Sequence, residues 1–551
     1  MAHTEVPSAL RVSSDSHLSA HEYNETEGLT ESLLDNAEKQ ARQNDAQTPL
    51  RQQLERKLAF ILRPINRWCR RAGTVLPLLK SSTRPSTGSE DIITAAGKPK
   101  STERAATAYL DGLRGVAALC VVFTHVEEWA QNDYNGNLDR LRKPWGWKEQ
   151  HLLACWPMLR FIFTGGGFAV ALFFIMSGYV LSNKPYKLIM ARDRCAQQSL
   201  SNIISSAVFR RWFRLFIPIF AVNFLWVSIW YLLGIHNTAR PETDHLPLKE
   251  TWSAELIRLR NVMIELSSFF GPQDRERFRI YNPPTWTIPD EFRGSMVVYV
   301  TITSLAQFTS RSRLFCEVIL CTYLWYLKLT PLVLFVIGMI MCHIDALLRT
   351  SNFPTLPSIR FPGKKWLWML WYLPLLLGIY LGGGSEGDQD LATWRRYHAV
   401  GATLTMIAVP NLPWCKSLLE SRFCLFLGRI SYSLYLTHLP VLWVIGGRIY
   451  AAFGRFRGKP ELYGAWANLV PLPAYGPVGM EINVVVPTIF FVVLAFGVAE
   501  LATRFIDDPS VKFAQWLYRK GTTTLKEEPS LLPVQVDLNA YPGTSRVANS
   551  A

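Results

Sequence analysis

The sequence has few of the features that mark a metal-binding or secreted protein. Its nine cysteines are scattered, with no CxxC pair and no cluster of Cys and His residues. Neither a structural zinc site nor a disulfide framework is therefore expected, and no metal ligand is predicted. The first hundred residues contain no apolar core followed by a small-residue cleavage site. No secretory signal is predicted, and the first spanning helix is expected to drive insertion into the membrane.

Apolar residues are concentrated in blocks along the 551-residue chain. The mean hydropathy is only +0.10. Blocks such as 215–233, 331–348 and 484–501 nevertheless approach the roughly 20 apolar residues that cross a bilayer. Nineteen Trp and twenty Tyr, many near the block ends, are typical of aromatic belts at a membrane interface. This segregation predicts an all-α fold, a polytopic membrane helix bundle.

Ten segments are predicted to span the membrane. They are 110–130, 161–182, 213–234, 292–309, 314–328, 330–348, 366–383, 397–413, 429–450 and 484–506. Residues 1–104 are polar and basic and are predicted to be a disordered cytosolic tail, and residues 516–551 a disordered C-terminal tail. The membrane domain is predicted to occupy residues 105–515.

The positions of Lys and Arg indicate the orientation of the chain. The arm before the first span is strongly basic, and later loops on the same side carry further basic residues, including Arg192, Arg194, Arg311 and Arg313. Both termini are therefore predicted to lie in the cytosol. The net charge of +15 is explained by these flanks and by anionic lipid headgroups, so the lipid bilayer is the expected partner and nucleic acid is not.

The first predicted span carries two ionisable residues, Arg114 and His125. Eleven positions separate them, so at about 100° per residue they face the same side of a helix, roughly 16 Å apart along its axis. An ionisable group at such depth costs at least about 2.5 kcal/mol unless it faces a cavity or a partner. A polar channel inside the bundle is favoured. The alternative is that the two side chains snorkel to opposite interfaces.

Two further motifs suggest ligand contacts. Arg210, Arg211 and Arg214 open the third span, and such a cluster suits a phosphate-bearing ligand. Spacing alone favours a topology anchor that touches lipid phosphates. Glu291 follows Trp286 in a loop with two prolines. This carboxylate either orients a histidine, binds a hydroxyl, or is an acid favoured at a helix start.

The ninth predicted span carries a second histidine at mid-membrane depth. His438 has Ser431 and Tyr435 on nearby turns. A lone histidine is usually a packing residue, but a second one in the same bundle favours function.

Two other motifs are interpreted as structural. The second span contains Gly165-Gly-Gly and then FFIMSGY, where small residues permit close helix approach. The last span contains Glu500 and Arg504, an i,i+4 pair.

Together these segments resemble the membrane-bound acyltransferase 3 family, the O-acyltransferases of sugars and small molecules, over about residues 105–515. The stretch LDGLRGVAALCVVFTHV carries the family's pattern of Arg, ten residues and His. FFIMSGYVL, RRWFRLFIP, the Trp286…Glu291 spacing and GRISYSLYLTH follow in the family's order. The chain departs from the family at Thr287-Ile-Pro-Asp290, where many members have Ser-Leu-Ser-Val. It is most similar to fungal members with a long polar N-terminal tail.

The resemblance implies about ten spanning helices, an acyl-CoA co-substrate, expected to be acetyl-CoA, and a hydroxyl acceptor on a carbohydrate or small molecule. No bound cofactor is implied. His125 is expected to take the proton from the hydroxyl, and Glu291 to orient His125 or the acceptor. Arg114 is expected to hold the donor or to stabilise charge on the thioester oxygen. The CoA phosphates are assigned to Arg210, Arg211 and Arg214, and supporting roles to Asp111, Trp286, Ser431 and His438.

Two other functions are compatible with the same residues. The first is a proton-coupled small-molecule transporter with Arg114, His125 and His438 along its path, although no internal repeat or pair of broken helices is evident. The second is a non-catalytic membrane scaffold, which predicts that the polar residues tolerate apolar replacement. Sugar, polyketide, terpenoid and lipid hydroxyls are all compatible acceptors for the acyltransferase.

Overall fold

A computed structural model shows how these segments fold. It describes residues 101–131, 145–146, 149, 151–191, 194–232, 251–268, 281–350, 367–384, 391–457 and 460–527. No strand occurs among them. Most of the predicted N-terminal tail, up to residue 100, lies outside the described residues, as does the chain beyond residue 527.

The described residues form fifteen α-helices. They are α1 (Ser101–Gln131), α2 (Arg160–Thr164), α3 (Gly166–Ala191), α4 (Arg194–Leu232), α5 (Trp252–Ser267), α6 (Thr287–Ser304), α7 (Ser310–Tyr326), α8 (Thr330–Thr350), α9 (Tyr372–Gly382), α10 (Leu391–Ala408), α11 (Pro413–Leu419), α12 (Arg422–Val441), α13 (Gly447–Ala452), α14 (Ile482–Ala502) and α15 (Asp508–Glu527). Two π-helical turns, Leu442–Gly446 and Thr503–Asp507, follow α12 and α14.

Several of these helices are suited to a membrane. Five stretches are long and apolar enough to cross one: Thr107–Ala130, Gly166–Ala191, Ala196–Tyr231, Thr330–Arg349 and Ile482–Thr522. Each of the ten predicted spans overlaps a helix of the structure. The predicted all-α membrane bundle is therefore confirmed. The 39 residues of α4 would measure about 58 Å at 1.5 Å per residue, so part of α4 extends beyond a hydrocarbon core of about 30 Å.

The C-terminal boundary of the ordered chain differs from the prediction. Disorder was expected from residue 516, and this boundary is wrong because α15 continues to Glu527. Aromatic side chains explain the difference. The ring of Tyr518 lies 5.7 Å from that of Phe209, and the ring of Phe513 lies 6.1 Å from that of Phe213. An apolar stripe of α15 thus packs on α4. The average composition of this segment is polar and therefore does not indicate the stripe.

Helices α1 and α12 run in the same direction at a separation that only glycine permits. A Cβ atom on Gly115 would lie 2.5 Å from the main-chain nitrogen of Gly428, and one on Gly428 would lie 2.2 Å from the Asp111 carbonyl oxygen. Because the two glycines are adjacent, the residues ten positions further along each helix, His125 and His438, also meet. Small residues therefore set the position of both histidines.

Helix α3 runs in the opposite direction to α1. Gly166, at the start of α3, packs on Thr124 near the end of α1. Tyr179, in the second half of α3, shares a core cluster with Tyr109 near the start of α1. Residues early in α3 therefore lie at the depth of His125, and residues late in α3 lie at the depth of Arg114.

A buried polar cluster joins α3, α7 and α8. Glu317 and His343 are fully buried, and Nδ1 of His343 lies 2.8 Å from a carboxylate oxygen of Glu317. The Tyr186 hydroxyl donates to the other oxygen at 2.6 Å, and its ring stacks on that of His343. Outward-facing side chains of α7 such as Phe315 are exposed. Polar contacts therefore hold this helix to the bundle.

Candidate active site

A cavity of about 210 Å³ is formed by residues of α1, α3, α4, α6 and α12 and of the π turn after α14. Six charged residues line it: Arg114, Arg211, Arg214, Glu291, Arg429 and Asp507. Four guanidinium groups against two carboxylates leave the lining with an excess of positive charge. Such a lining suits an anionic ligand, and Arg pairs with phosphate oxygens through two parallel hydrogen bonds.

Arg211 is held in place on the cavity wall. Its Nη2 donates to a carboxylate oxygen of Glu291 at 2.8 Å, and its Nε donates to the hydroxyl of Ser295 at 2.9 Å. The Ser295 hydroxyl in turn donates to the main-chain oxygen of Glu291 at 2.7 Å. Glu291 is therefore the partner of Arg211, and the structure does not pair it with His125. Ser295 had no role assigned from sequence, because a lone serine near a helix start gives no signal.

Arg114 and Arg214 are less engaged. The carboxylate of Asp111 lies 3.7 Å from Arg114, and the Asp111 side chain is 63% exposed. Such an exposed pair contributes little. Within the part of the chain that the structure describes, Arg214 makes no ion pair. Both guanidinium groups are thus available to an anion in the cavity.

Arg210 does not line the cavity. Its Nε donates to the main-chain oxygen of Ser206 at 3.0 Å. This hydrogen bond directs the guanidinium group back to the preceding turn of α4, and Arg210 is not among the residues that line the cavity.

A further arginine enters the site from α12. Arg429 lines the cavity and pairs with both carboxylate oxygens of Glu500, at 3.1 and 2.5 Å. Arg504 donates to the same carboxylate at 2.5 Å, as its i,i+4 spacing predicted. The π turn that begins at Thr503 brings Asp507 to the cavity, and such turns frequently occur at functional sites. Arg429 was not predicted as a site residue, although it lies in the motif GRISYSLYLTH, which could have indicated it.

His125 and His438 form a pair near the inner end of the cavity. Nε2 of His438 lies 3.0 Å from Nδ1 of His125. Nδ1 of His438 lies 2.9 Å from the carbonyl oxygen of Leu434, and Nδ1 of His125 lies 3.0 Å from that of Val121. A carbonyl oxygen only accepts, so each neutral ring carries its proton on Nδ1.

These tautomers define what each ring does. The Nδ1–H of His125 is shared between the Val121 carbonyl and Nε2 of His438. Nε2 of His125 therefore keeps its lone pair, and no hydrogen bond to another described residue occupies it. A ring nitrogen with a lone pair and a fixed opposite proton is the arrangement of a general base.

Tyr435 lies between the cavity and the histidines. It lines the cavity, and its hydroxyl donates to the carbonyl oxygen of Pro284 at 2.8 Å. Its ring centroid is 6.2 Å from that of His438. His438 is three positions after Tyr435 on α12, which corresponds to about 4.5 Å along the helix axis. The inner end of the cavity is thus within one helical turn of the histidine pair.

The segment that precedes α6 is anchored on α12 beside His438. Asn282 donates through its side-chain nitrogen to the Leu436 carbonyl at 2.7 Å. Tyr281 donates to the buried carboxylate of Glu255. Burial, and secondly this hydrogen bond, raise the pKa of Tyr281 well above its usual value, so the hydroxyl remains a donor. A 3₁₀ turn from Pro283 to Trp286 then leads directly into α6.

The structure therefore separates the predicted site residues into groups. The cavity is lined by Arg114, Arg211, Arg214, Glu291 and Ser431, and His125 and His438 meet beside it. Asp111 pairs weakly with Arg114, and Arg210 and Trp286 are not among the lining residues.

Comparisons with known proteins show the family to which the chain belongs. A family model described as an acyltransferase domain matches residues 107–504. The O-acetyltransferase PaAT-1 of Phomopsis amygdali is 26% identical over 476 residues, which cover 77% of this chain and 86% of that protein. The acyltransferase clz18 of Cochliobolus lunatus is 23% identical over 478 residues, 77% of this chain and 98% of that protein. The acyltransferase R4 of a Phoma species is 22% identical over 488 residues, with the same coverages. No solved structure matches the chain significantly.

Proposed function

This chain belongs to the acyltransferase 3 family and is a membrane O-acyltransferase, and we propose that it moves an acyl group, acetyl in the first instance, from acyl-CoA to a hydroxyl of a carbohydrate or small-molecule acceptor. One observation carries the proposal. The arginine-lined cavity ends within one helical turn of the pair formed by His125 and His438, and Nε2 of His125 keeps its lone pair.

The donor is assigned to the arginine-lined cavity. The phosphates of CoA carry the negative charge that Arg114, Arg214 and Arg211 would balance, and Glu291 keeps Arg211 in position. The thioester arm would then extend along the face of α3 towards Tyr435. This direction places the reacting carbonyl near the histidines and leaves the charged part of CoA at the arginines.

The chemistry is assigned to His125. Its Nε2 takes the proton of the acceptor hydroxyl while the oxygen attacks the thioester carbonyl. The new C–O bond forms, the C–S bond breaks, and the proton passes from His125 to the leaving sulfur to give CoA as the free thiol. General base catalysis of this kind contributes about 10²- to 10⁴-fold. The hydrogen bond from Nδ1–H of His125 to Nε2 of His438 becomes stronger while His125 is positively charged.

The orientation follows from the same assignment. The donor is cytosolic, so the arginine-lined end of the cavity is proposed to face the cytosol. The basic flanks of the predicted spans support this orientation of a multi-pass protein with both termini on the cytosolic side.

The test is acyl transfer in isolated membranes. Membranes that contain the protein are supplied with [¹⁴C]acetyl-CoA and a metabolite extract from a strain in which the gene is deleted. The proposal predicts labelled ester with the wild type and essentially none with His125→Ala. His151→Ala is the matched control, because His151 is exposed and contacts Trp145 away from the cavity. Solute uptake into vesicles without any CoA requirement would instead support a transporter.

A further inference from the structure

One face of α3 lines the cavity along its depth. Val170, Phe173, Phe174, Ser177, Val180 and Leu181 all contribute. They recur at helical spacing and span about 16 Å at 1.5 Å per residue. Because α3 runs opposite to α1, Val180 lies towards the arginine-lined end and Phe173 towards the histidines.

Two aromatic rings narrow the inner end. The ring of Phe173 meets that of Tyr435 edge to face, with 6.1 Å between centroids. Tyr435 is held by the hydrogen bond from its hydroxyl to Pro284, and it lies 2.8 Å from the Thr287 hydroxyl. One side of the wall is therefore fixed by hydrogen bonds. Because Tyr435 is fixed, the size of the side chain at position 173 determines how much space remains at the inner end of the cavity.

We propose that Phe173 sets the upper limit on the acyl chain and restricts the donor to short-chain acyl-CoA. The inference rests on the proposed function. The thioester carbonyl must approach an oxygen that His125 deprotonates, so the acyl group lies at the inner end of the cavity. An acetyl group fits beside the Phe173 ring, and the added methylene groups of a longer chain meet that ring and Tyr435.

The expected discrimination is large enough to measure. A pocket wall that excludes one methylene group discriminates by about 10-fold or more. A hexanoyl group has four more methylene groups than acetyl, so it tests the limit well beyond this threshold. Replacing Phe173 by alanine removes the ring and leaves the hydrogen-bonded Tyr435 as the remaining wall.

The test is competition for [¹⁴C]acetyl-CoA binding to the detergent-purified full chain, which requires no acceptor. For the wild type, unlabelled hexanoyl-CoA should compete at least about 10-fold more weakly than acetyl-CoA. For Phe173→Ala the two should compete within about 2-fold, and Phe173→Leu should give an intermediate ratio. Phe496→Ala is the matched control. Phe496 packs on Phe423 and Phe426, does not line the cavity, and should keep the wild-type ratio.

The outcomes separate the two proposals. If the wild type binds acetyl-CoA and both Phe173 variants keep the wild-type ratio, the role of Phe173 is refuted and the acyltransferase proposal is unaffected. If the ratio falls equally in Phe496→Ala, the effect is not local to the cavity and the inference also fails. If the wild type binds neither acyl-CoA, the donor assignment itself is wrong.

Discussion

Replacing His438 by phenylalanine should slow acyl transfer without weakening donor binding. The substitution keeps an aromatic ring in the buried site and removes the acceptor nitrogen, which lies 3.0 Å from Nδ1 of His125. A neutral hydrogen bond contributes about 1 kcal/mol and one to a charged group about 1.5–3 kcal/mol. Only the difference, about 0.5–2 kcal/mol, affects the transition state, in which His125 is protonated.

This difference predicts a fall in kcat of about 2- to 30-fold at 1.4 kcal/mol per tenfold. The fall is limited because the Val121 carbonyl, 3.0 Å from Nδ1 of His125, still favours the same tautomer. The KM for acetyl-CoA should not change, because His438 does not line the donor cavity.

The assay is the initial rate of ester formation in membranes, at several acetyl-CoA concentrations and equal amounts of inserted protein. His438→Gln provides the rescue, because its side-chain oxygen restores an acceptor near the original nitrogen. It should be faster than His438→Phe. A wild-type kcat in His438→Phe would refute the reasoning. Equal losses in both variants would show that packing matters and the acceptor does not.

Three further substitutions test other parts of the account. Arg214→Gln should raise the KM for acetyl-CoA about 10- to 100-fold through loss of a charge-assisted bond, whereas Arg210→Gln should change it less than about 2-fold; an unchanged KM in Arg214→Gln, or equal increases in both variants, would contradict the assignment of the donor to Arg214 rather than Arg210. Gly428→Ala should destabilise the protein by about 1–3 kcal/mol through overlap with α1, which thermal unfolding in detergent would detect. Gly521→Ala is its control, since a Cβ there meets nothing within 4 Å, and indistinguishable unfolding temperatures would contradict the close packing. Glu317→Gln should cost about 3 kcal/mol in stability and leave the KM for acetyl-CoA unchanged; an unaltered unfolding temperature would argue against a structural role for the buried pair.

The sequence was sufficient to predict the long apolar helices and part of the site, but not helices outside the apolar blocks, such as α5 and α15. Every segment predicted from an apolar block of membrane length overlaps a helix, because local composition determines where such segments occur. The Arg114–His125 spacing identified residues at the cavity or beside it, because helical periodicity relates neighbours along one element. Of the predicted cluster Arg210, Arg211 and Arg214, the last two line the cavity and Arg210 does not. The contact between Glu500 and Arg504 was predictable for the same reason, because residues at i and i+4 are neighbours on a helix surface.

Contacts between distant elements could not be predicted in the same way. His125 and His438 are 313 positions apart, and no spacing rule relates them. Their contact depends on how closely two glycines allow α1 and α12 to approach. Glu291 was expected to orient His125, to bind the acceptor hydroxyl or to be an acid at a helix start, whereas the fold directs its carboxylate to Arg211. The residues that bring groups together are small or apolar and carry no chemical signature.

The acyl transfer rate of a His125 variant tests the central claim most directly. The experiment compares wild type and His125→Ala in membranes with equal amounts of inserted protein, and measures [¹⁴C]acetyl-CoA binding in parallel. The account predicts that ester formation falls by about 10²- to 10⁴-fold while acetyl-CoA still binds. Ester formation at the wild-type rate by an inserted His125→Ala protein would contradict it.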